Sequence, residues 1–185
     1  MFASLGSRDF EKLAQRGDTD LLLTMQSLPG FRDFYPNDCA RRNYILAQWR
    51  EVARRYGFVE YDGPVLEPIE LYEKKSGGEL LGQLFDFMDK GGRHVAMRPE
   101  MTPTLARMVA AREKDFKKPL KWFCCPQFFR YEKQQRGRLR EFYQFNADII
   151  GESSPAADAE MIALAIDLMR VLGFTEKEFA VRLSR

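Results

Sequence analysis

The chain has 185 residues, of which 45% are hydrophobic, 13% aromatic and 30% charged. This composition is typical of one soluble globular domain with a sizeable hydrophobic core. The formal net charge is only +2, so overall charge does not indicate a nucleic acid or a membrane surface as partner. No apolar run is long enough to span a membrane, and acidic residues interrupt the N-terminal segment before the apolar region of a signal peptide could form.

Cysteine and histidine usage argues against several kinds of chemistry. The cysteines are Cys39, Cys124 and Cys125, an odd number with two adjacent members, which does not suit a disulfide framework. We therefore expect a reducing, cytoplasmic location, and we interpret Cys124 and Cys125 as core residues. His94 is the only histidine, which argues against a multi-histidine metal site or a Ser-His-Asp triad. No protein-held metal is predicted, and any catalysis has to depend on Arg, Glu, Asp and Gln.

The first part of the chain divides into an extension, a helix and an extended segment. Residues 1–27 lack sustained periodicity and are predicted to be a weakly ordered N-terminal extension. Apolar residues at helical spacing predict a helix over 39–56, with Asn37 and Asp38 as N-cap candidates. Residues 58–68 are predicted to form a strand followed by a proline-flanked edge segment.

Hairpin-linked strands with helices between them follow in the rest of the chain. The predicted elements are a hairpin over 84–98, a helix opened by 99–103, long strands at 120–132 and 140–150, a helix over 154–173, and a strand that starts at 180–183. This order indicates an α+β fold with a largely antiparallel sheet flanked by helices. The last strand has no visible continuation, so the fold is expected to be incomplete at its C-terminus.

The two long strands carry a polar face. Side chains alternate along a strand, and if Glu132 lies opposite Arg140, the even-numbered side chains of both strands share one surface. The members of that surface include Arg130, Glu132, Phe142, Gln144, Asn146 and Asp148. This content indicates a ligand pocket. The alternative is a solvated sheet face with cross-strand ion pairs, and a one-residue slip in register would separate the residues altogether.

Two smaller clusters also suggest ligand contacts. The loop between the long strands contains Lys133, Arg136 and Arg138, a cationic group suited to the phosphates of ATP or RNA. An ordinary polar hairpin loop is the alternative. Glu100 and Thr102 lie at a predicted strand-to-helix junction, where a carboxylate and a hydroxyl could hold an ammonium group. The alternative there is a helix N-cap with an acidic residue in the first turn.

These segments, in this order and spacing, resemble the catalytic domain of the histidyl-tRNA synthetase family of class II aminoacyl-tRNA synthetases. The segments FRYE at 129–132 and GRLREFYQ at 137–144 are similar to the second class-defining motif. The other similar segments are 30–36 at the start of the domain, 39–67 at the first motif, which builds the dimer interface, and 98–102 at the site for the substrate amine. The resemblance implies that 28–185 is the N-terminal part of such a catalytic domain, whose later segments would follow Arg185.

The resemblance implies a role in ATP binding for four residues. Arg130 would bind the α-phosphate of ATP and the amino-acid carboxylate, and is the predicted catalytic residue. Glu132 would accept a hydrogen bond from the adenine amino group, and Phe142 would stack on the adenine. Arg138 would hold the γ-phosphate side of a bent ATP, with Mg²⁺ bound alongside.

The resemblance also implies how histidine is bound. Glu100, Thr102 and Gln144 would bind its ammonium group, Arg130 its carboxylate, and Asp148 would lie near the imidazole. In the basic loop, the cationic side chains are predicted to bind tRNA, namely those of Lys133 and Arg136.

The implied function is that of a histidine–tRNA ligase, which activates histidine with ATP and transfers it to tRNA(His), here as an N-terminal fragment. The implied partners are histidine, ATP with Mg²⁺, tRNA(His) and a second copy of the chain in a homodimer. Two alternatives stay open. One is the synthetase-like regulatory subunit of ATP phosphoribosyltransferase, which binds histidine as a signal, and the other is an RNA-binding module without catalysis.

Overall fold

The computed structural model describes residues 25–73, 78–133 and 135–183. The predicted extension at 1–27 therefore lies outside the described residues except for 25–27. The helices of the described part are α1 (Pro36–Arg55), α2 (Glu70–Glu73), α3 (Gly78–Leu81), α4 (Thr102–Ala111) and α5 (Pro155–Arg170), with a 3₁₀ turn at Glu113–Asp115. None of these helices is long and apolar enough to cross a membrane.

The strands form three small sheets, so the α+β prediction is confirmed. The strands are β1 (Val59–Glu60), β2 (Leu66–Pro68), β3 (Asp86–Met88), β4 (His94–Met97), β5 (Leu120–Cys124), β6 (Gln127–Phe129), β7 (Glu141–Tyr143) and β8 (Asn146–Ile150). Their orders are β1-β5-β8, β2-β4-β3 and β6-β7. All pairs are antiparallel except β1 with β5, which is parallel.

Strands β5 to β8 behave as one long hairpin. Leu120 pairs with Ile150 at one end and Phe129 pairs with Glu141 near the other. The register is the same on both sides of the break between β5 and β6, where the Gln144 N–H donates to the Pro126 carbonyl at 3.3 Å. The two long predicted strands are thus each interrupted, because Pro126 has no N–H to donate to the ladder.

The assumed register of this hairpin is wrong by two residues. Arg130, rather than Glu132, lies opposite Arg140, and its N–H donates to the Arg140 carbonyl at 2.9 Å. At this end of the ladder the Tyr131 N–H donates to the Gln83 carbonyl at 2.7 Å, which ties the segment before β3 to the hairpin. A two-residue shift leaves the alternation of side chains unchanged, so the even-numbered residues still share one face.

The odd-numbered face of the hairpin forms the main core. Phe123 is fully buried and stacks on Phe145, with ring centroids 5.8 Å apart. The other buried members of this cluster come from α1, α5 and the segments next to the strands: Leu46, Val52, Ala53, Phe58, Cys125, Leu164 and Leu168. The two long helices therefore cover one face and leave the even-numbered face for other contacts.

Two element boundaries differ from the sequence predictions. Helix α1 begins at Pro36, with Tyr35 as N-cap and no side-chain cap, so the N-cap prediction for Asn37 and Asp38 is wrong. The fixed φ of proline suits the first helical position, and Asp38 lies in the first turn instead. Residues 180–183 form no strand, because they pair with no other strand in the described ranges.

We expect Phe123→Ala to lower the free energy of unfolding by about 3–5 kcal/mol, since it empties the centre of the main core. Urea unfolding followed by circular dichroism measures the change. The matched control is Phe87→Ala, at a ring that is 47% exposed, which should change stability by about 0.5 kcal/mol or less. Equal losses from both substitutions would contradict this description of the core.

Candidate active site

Arg130 lies at the end of the hairpin ladder on the even-numbered face. Its Nε donates to the Pro99 carbonyl at 3.0 Å, which ties the strand preceding α4 to the hairpin. Its guanidinium carbon lies 5.2 Å from the centroid of the Phe142 ring, in cation–π contact. Because Nε is anchored, the terminal guanidinium nitrogens are directed to a defined place beside an aromatic ring. This arrangement suits a planar anion or a phosphate.

Glu132 lies between two arginines. Its carboxylate oxygens are 3.7 Å from Nη1 of Arg130 and 3.3 Å from Nη1 of Arg138. The Arg138 side chain is 67% exposed, whereas that of Glu132 is 19% exposed. The structure therefore joins Arg130, Glu132, Arg138 and Phe142 into one contiguous group; these are the four residues for which the resemblance implies ATP binding.

Glu100 and Thr102 flank the start of α4. The N-cap of this helix is Met101, without a side-chain cap, and no acidic residue lies in the first turn. The alternative interpretation of this pair as a helix cap is therefore wrong. Thr102 is the exposed first residue of the helix and Glu100 is half-buried. Both are close in sequence to Pro99, whose carbonyl holds Arg130.

Gln144, Asn146 and Asp148 continue the even-numbered face beyond Phe142. Gln144 donates from Nε2 to Oδ1 of Asn146 at 2.6 Å. Asp148 pairs across the ladder with Trp122, and burial raises the pKa of its carboxyl group above the ordinary value. A desolvated carboxyl at this position is suited to a ligand that brings its own hydrogen-bond donor.

Lys133 and Arg136, the predicted tRNA contacts, are both exposed in the loop between β6 and β7. Lys133 follows Glu132 directly, so the cationic loop begins where the group around Arg130 ends. The structure therefore places the predicted RNA contacts next to the predicted nucleotide site.

A buried carboxylate that the sequence analysis missed fixes the segment at 30–34. Glu141 accepts the Arg32 N–H at 2.8 Å and the Gln127 side-chain amide at 2.7 Å. Close by, the Arg140 N–H donates to the Gly30 carbonyl at 2.9 Å. Gly30 has φ +92°, and a Cβ there would lie 2.7 Å from Cγ of Arg140, so only glycine fits. Sequence periodicity cannot indicate contacts between residues 109 positions apart.

Arg98 is a second missed residue. It is 4% exposed and donates to the Asp62 carboxylate at 2.7 Å, the Gly63 carbonyl at 2.8 Å and the Gln127 carbonyl at 3.0 Å. Its own carbonyl accepts the Phe129 N–H at 3.1 Å. These bonds hold the backbone that precedes Pro99 and Glu100. Arg98 falls within the segment 98–102 of the sequence analysis, which assigned it no role of its own.

The cysteine pair takes no part in this chemistry. Burial raises the pKa of the Cys124 thiol to about 11 and that of Cys125 to about 12. Both stay protonated near neutral pH and are poor nucleophiles. Their burial confirms the interpretation as core residues. In the described ranges, no group of three or more His, Cys, Asp or Glu is arranged to hold a metal ion.

Solved structures identify the class of fold. A crystal structure described as an ATP phosphoribosyltransferase regulatory subunit/histidyl-tRNA synthetase from Bacillus halodurans superposes with a TM-score of 0.74 and 29% identity, covering 83% of this chain and 39% of that one. Apo histidyl-tRNA synthetase of S. aureus gives a TM-score of 0.67 at 28% identity, covering 80% and 35%. The chain has the fold of a class II aminoacyl-tRNA synthetase catalytic domain.

Sequence comparison narrows the class to one family. The family model for histidyl-tRNA synthetase matches residues 30–184. Histidine–tRNA ligase of Opitutus terrae is 55% identical over 163 residues, 88% of this chain, and that of Haloarcula marismortui is 49% identical over 158 residues, 85% of this chain. The chain belongs to the histidyl-tRNA synthetase family. It spans 37% and 36% of the length of these two relatives.

We expect the Asp148 carboxyl to titrate above the ordinary 3.8 of an aspartate, because burial disfavours its charged form. The folded chain then holds this proton more tightly than the unfolded chain. Its stability therefore falls as the pH rises from the ordinary pKa through the raised one. Carbon-13 NMR of the side-chain carboxyl measures the midpoint.

Asp89 is the internal control for this titration, because hydrogen bonds from the backbone of Arg93 lower its pKa below 3.8. In Asp148→Asn, the fall in stability with rising pH should be smaller than in the unsubstituted chain. An Asp148 midpoint at or below that of Asp89 would contradict the buried site.

Proposed function

We propose that the protein to which this chain belongs is a histidine–tRNA ligase, which forms histidyl-adenylate from histidine and ATP and transfers histidine to tRNA(His). The observation that carries the proposal is the anchored Arg130 between Glu132 and the ring of Phe142, with Gln144 and Asp148 further along the same face. Relatives named histidine–tRNA ligase, 45–55% identical to the chain, support it.

In this proposal, Arg130 acts on the step that forms the adenylate. The histidine carboxylate attacks the α-phosphorus of ATP, a new P–O bond forms, and pyrophosphate leaves with the electrons of the bond that breaks. Negative charge accumulates between two anions, and a preorganised guanidinium stabilises it. One such contact contributes on the order of 3–4 kcal/mol to the transition state. The hydrogen bond to Pro99 supplies the preorganisation.

The remaining members of the group bind the nucleotide. Phe142 stacks on the adenine while Glu132 accepts a hydrogen bond from its amino group, and Arg138 binds the γ-phosphate. Glu132 contacts both arginines, so ATP binding exchanges one anionic partner for another at Arg130 and Arg138.

Mg²⁺ fits this site as a companion of the nucleotide. The donor set of the described residues is one half-buried carboxylate, Glu132, beside two guanidinium groups, which suits a cation that arrives bound to phosphates rather than a protein cage. When bound, it neutralises phosphate charge. The residues of the chain hold the phosphates in position around it.

In this proposal, histidine is bound by groups at the start of α4 and by groups on the polar face of the hairpin. Glu100, Thr102 and Gln144 bind the α-ammonium, and Asp148 accepts a hydrogen bond from the imidazole. A site whose buried groups hydrogen-bond a polar substrate side chain discriminates by roughly 10⁴-fold against analogues without that side chain. With such an analogue, the buried groups of the site are left unpaired. The desolvated environment of Asp148 is consistent with such discrimination.

The same proposal covers the domain, the oligomeric state and the cellular location of the protein. Residues 28–185 form the N-terminal part of the catalytic domain, and the protein is a cytoplasmic homodimer. Apolar side chains exposed on α1 and at β2 would contact the second copy, namely Tyr44, Ile45, Val65 and Leu66. A cytoplasmic location suits the free cysteines of the described residues.

A second candidate function is histidine sensing as a regulatory subunit of ATP phosphoribosyltransferase. The Bacillus halodurans structure carries both descriptions. The contacts of Glu132 with Arg130 and Arg138 favour the ligase, because sensing histidine needs no ATP site. Isothermal titration of the chain with each ligand separates the two: histidine binding without ATP binding would favour the sensor.

We expect the full-length protein to which this chain belongs to catalyse ATP–pyrophosphate exchange with histidine as the activating amino acid, and Arg130→Ala in that protein to lower the rate by about 10²-fold or more. The exchange of labelled pyrophosphate into ATP measures it. Arg112→Ala is the matched control, since this arginine is 68% exposed in a surface ion pair. Exchange with other amino acids but not histidine, or full activity of Arg130→Ala, would contradict the proposal.

We expect Lys133→Ala and Arg136→Ala each to weaken binding to tRNA(His) and to lower the slope of log K against log salt by about 1, because each loses one phosphate contact. Filter binding at several salt concentrations measures the slope. Lys117→Ala, an exposed lysine outside the loop, should leave it unchanged. The same affinity for every RNA, with neither histidine nor ATP binding, would favour an RNA-binding module.

A further inference from the structure

Asn146 lies at the centre of the row Gln144, Asn146 and Asp148. It faces Cys124 directly across the ladder, and its side chain contacts that of Gln144. The proposed roles of Gln144 and Asp148 give Asn146 no function of its own. Its contacts nevertheless decide which atoms Gln144 presents to a ligand.

The amide of Asn146 has a defined orientation. Its Nδ2 donates to the backbone carbonyl of Gln144 at 3.4 Å. This contact uses the NH₂ group, so Oδ1 is the end of the amide that accepts hydrogen bonds.

The orientation of Asn146 determines that of Gln144. Oδ1 of Asn146 accepts from Nε2 of Gln144 at 2.6 Å. An amide carries its acceptor and its donors on opposite sides, so engaging Nε2 turns Oε1 of Gln144 away from Asn146. Without this bond, the two ends of the Gln144 amide could exchange places.

An ammonium group needs acceptors, because it has three N–H donors and no lone pair. The NH₂ end of Gln144 would repel it, whereas Oε1 would bind it. We propose that Asn146 is a positioning residue that holds the Gln144 amide with Oε1 towards the α-ammonium of the substrate. This rests on the proposed function, in which the substrate is histidine.

The test compares the binding of two ligands, with and without a Gln144→Glu substitution. The ligands are L-histidine and 3-(imidazol-4-yl)propionate, which lacks only the α-amino group. Isothermal titration should show that Asn146→Ala weakens histidine binding by roughly tenfold or more, the loss expected for a hydrogen bond to a charged group, and leaves binding of the propionate within about twofold. Asn37→Ala, an exposed asparagine at the start of α1, should change neither.

The background variant Gln144→Glu removes the need for orientation, since both carboxylate oxygens accept hydrogen bonds. In that background, Asn146→Ala should have little effect on histidine binding. A purely structural role would instead give the same loss in both backgrounds and for both ligands, and that result would overturn the proposal.

A second measurement tests the orientation without a ligand. In NMR of the free chain, the Gln144 side-chain NH₂ should exchange with water more slowly than in Asn146→Ala. Equal exchange rates would overturn the proposal even if histidine binds. Failure of the unsubstituted full-length protein to bind histidine, together with slow exchange, would overturn the proposed function and the substrate role of Asn146 but not the fixed amide.

Discussion

The face that carries the candidate active site depends on one unbroken register along the hairpin of β5 to β8. From the pair Leu120–Ile150 to the pair Phe129–Glu141, no residue is gained or lost on either strand, even across the interruption at Pro126. Because side chains alternate along each strand, odd-numbered and even-numbered residues then lie on opposite faces along the whole length of the hairpin. One side is sealed by α1 and α5 around Phe123, and the other carries Arg130 and Asp148. A one-residue shift would bury these charges in the main core and expose its aromatic rings.

Buried polar groups fasten other segments to this hairpin. Glu141 holds the backbone at Arg32, and Arg98 holds the loop at Asp62 and Gly63. A buried charge is tolerated only where its hydrogen bonds are made, so each of these side chains specifies one arrangement of distant segments. The geometry around Arg130 is thus inherited from contacts outside the site, through the backbone of Pro99.

Local sequence patterns predicted which residues share a face of the hairpin, but they did not predict the contacts between distant segments that hold those residues in place. The alternation of both long strands, with an assumed register between them, placed Arg130, Phe142 and Asp148 on one face, and this survived an error of two residues in register because that shift preserves parity. The register itself cannot be read from alternation, because a shift by an even number of residues gives the same pattern. The roles of Glu141 and Arg98 depend on contacts between distant segments, which no local pattern contains. The start of α1 was misplaced because a proline at the first helical position replaced a side-chain cap.

The position of Glu132 between Arg130 and Arg138 has a consequence for how the site responds to salt. Two guanidinium groups and one carboxylate leave a net charge of about +1 rather than +2 in this group. The site carries its own counter-ion, so fewer solution anions gather around it and fewer are released when a phosphate takes their place. Affinity for a nucleotide at this point should therefore vary less steeply with ionic strength than the number of arginines suggests.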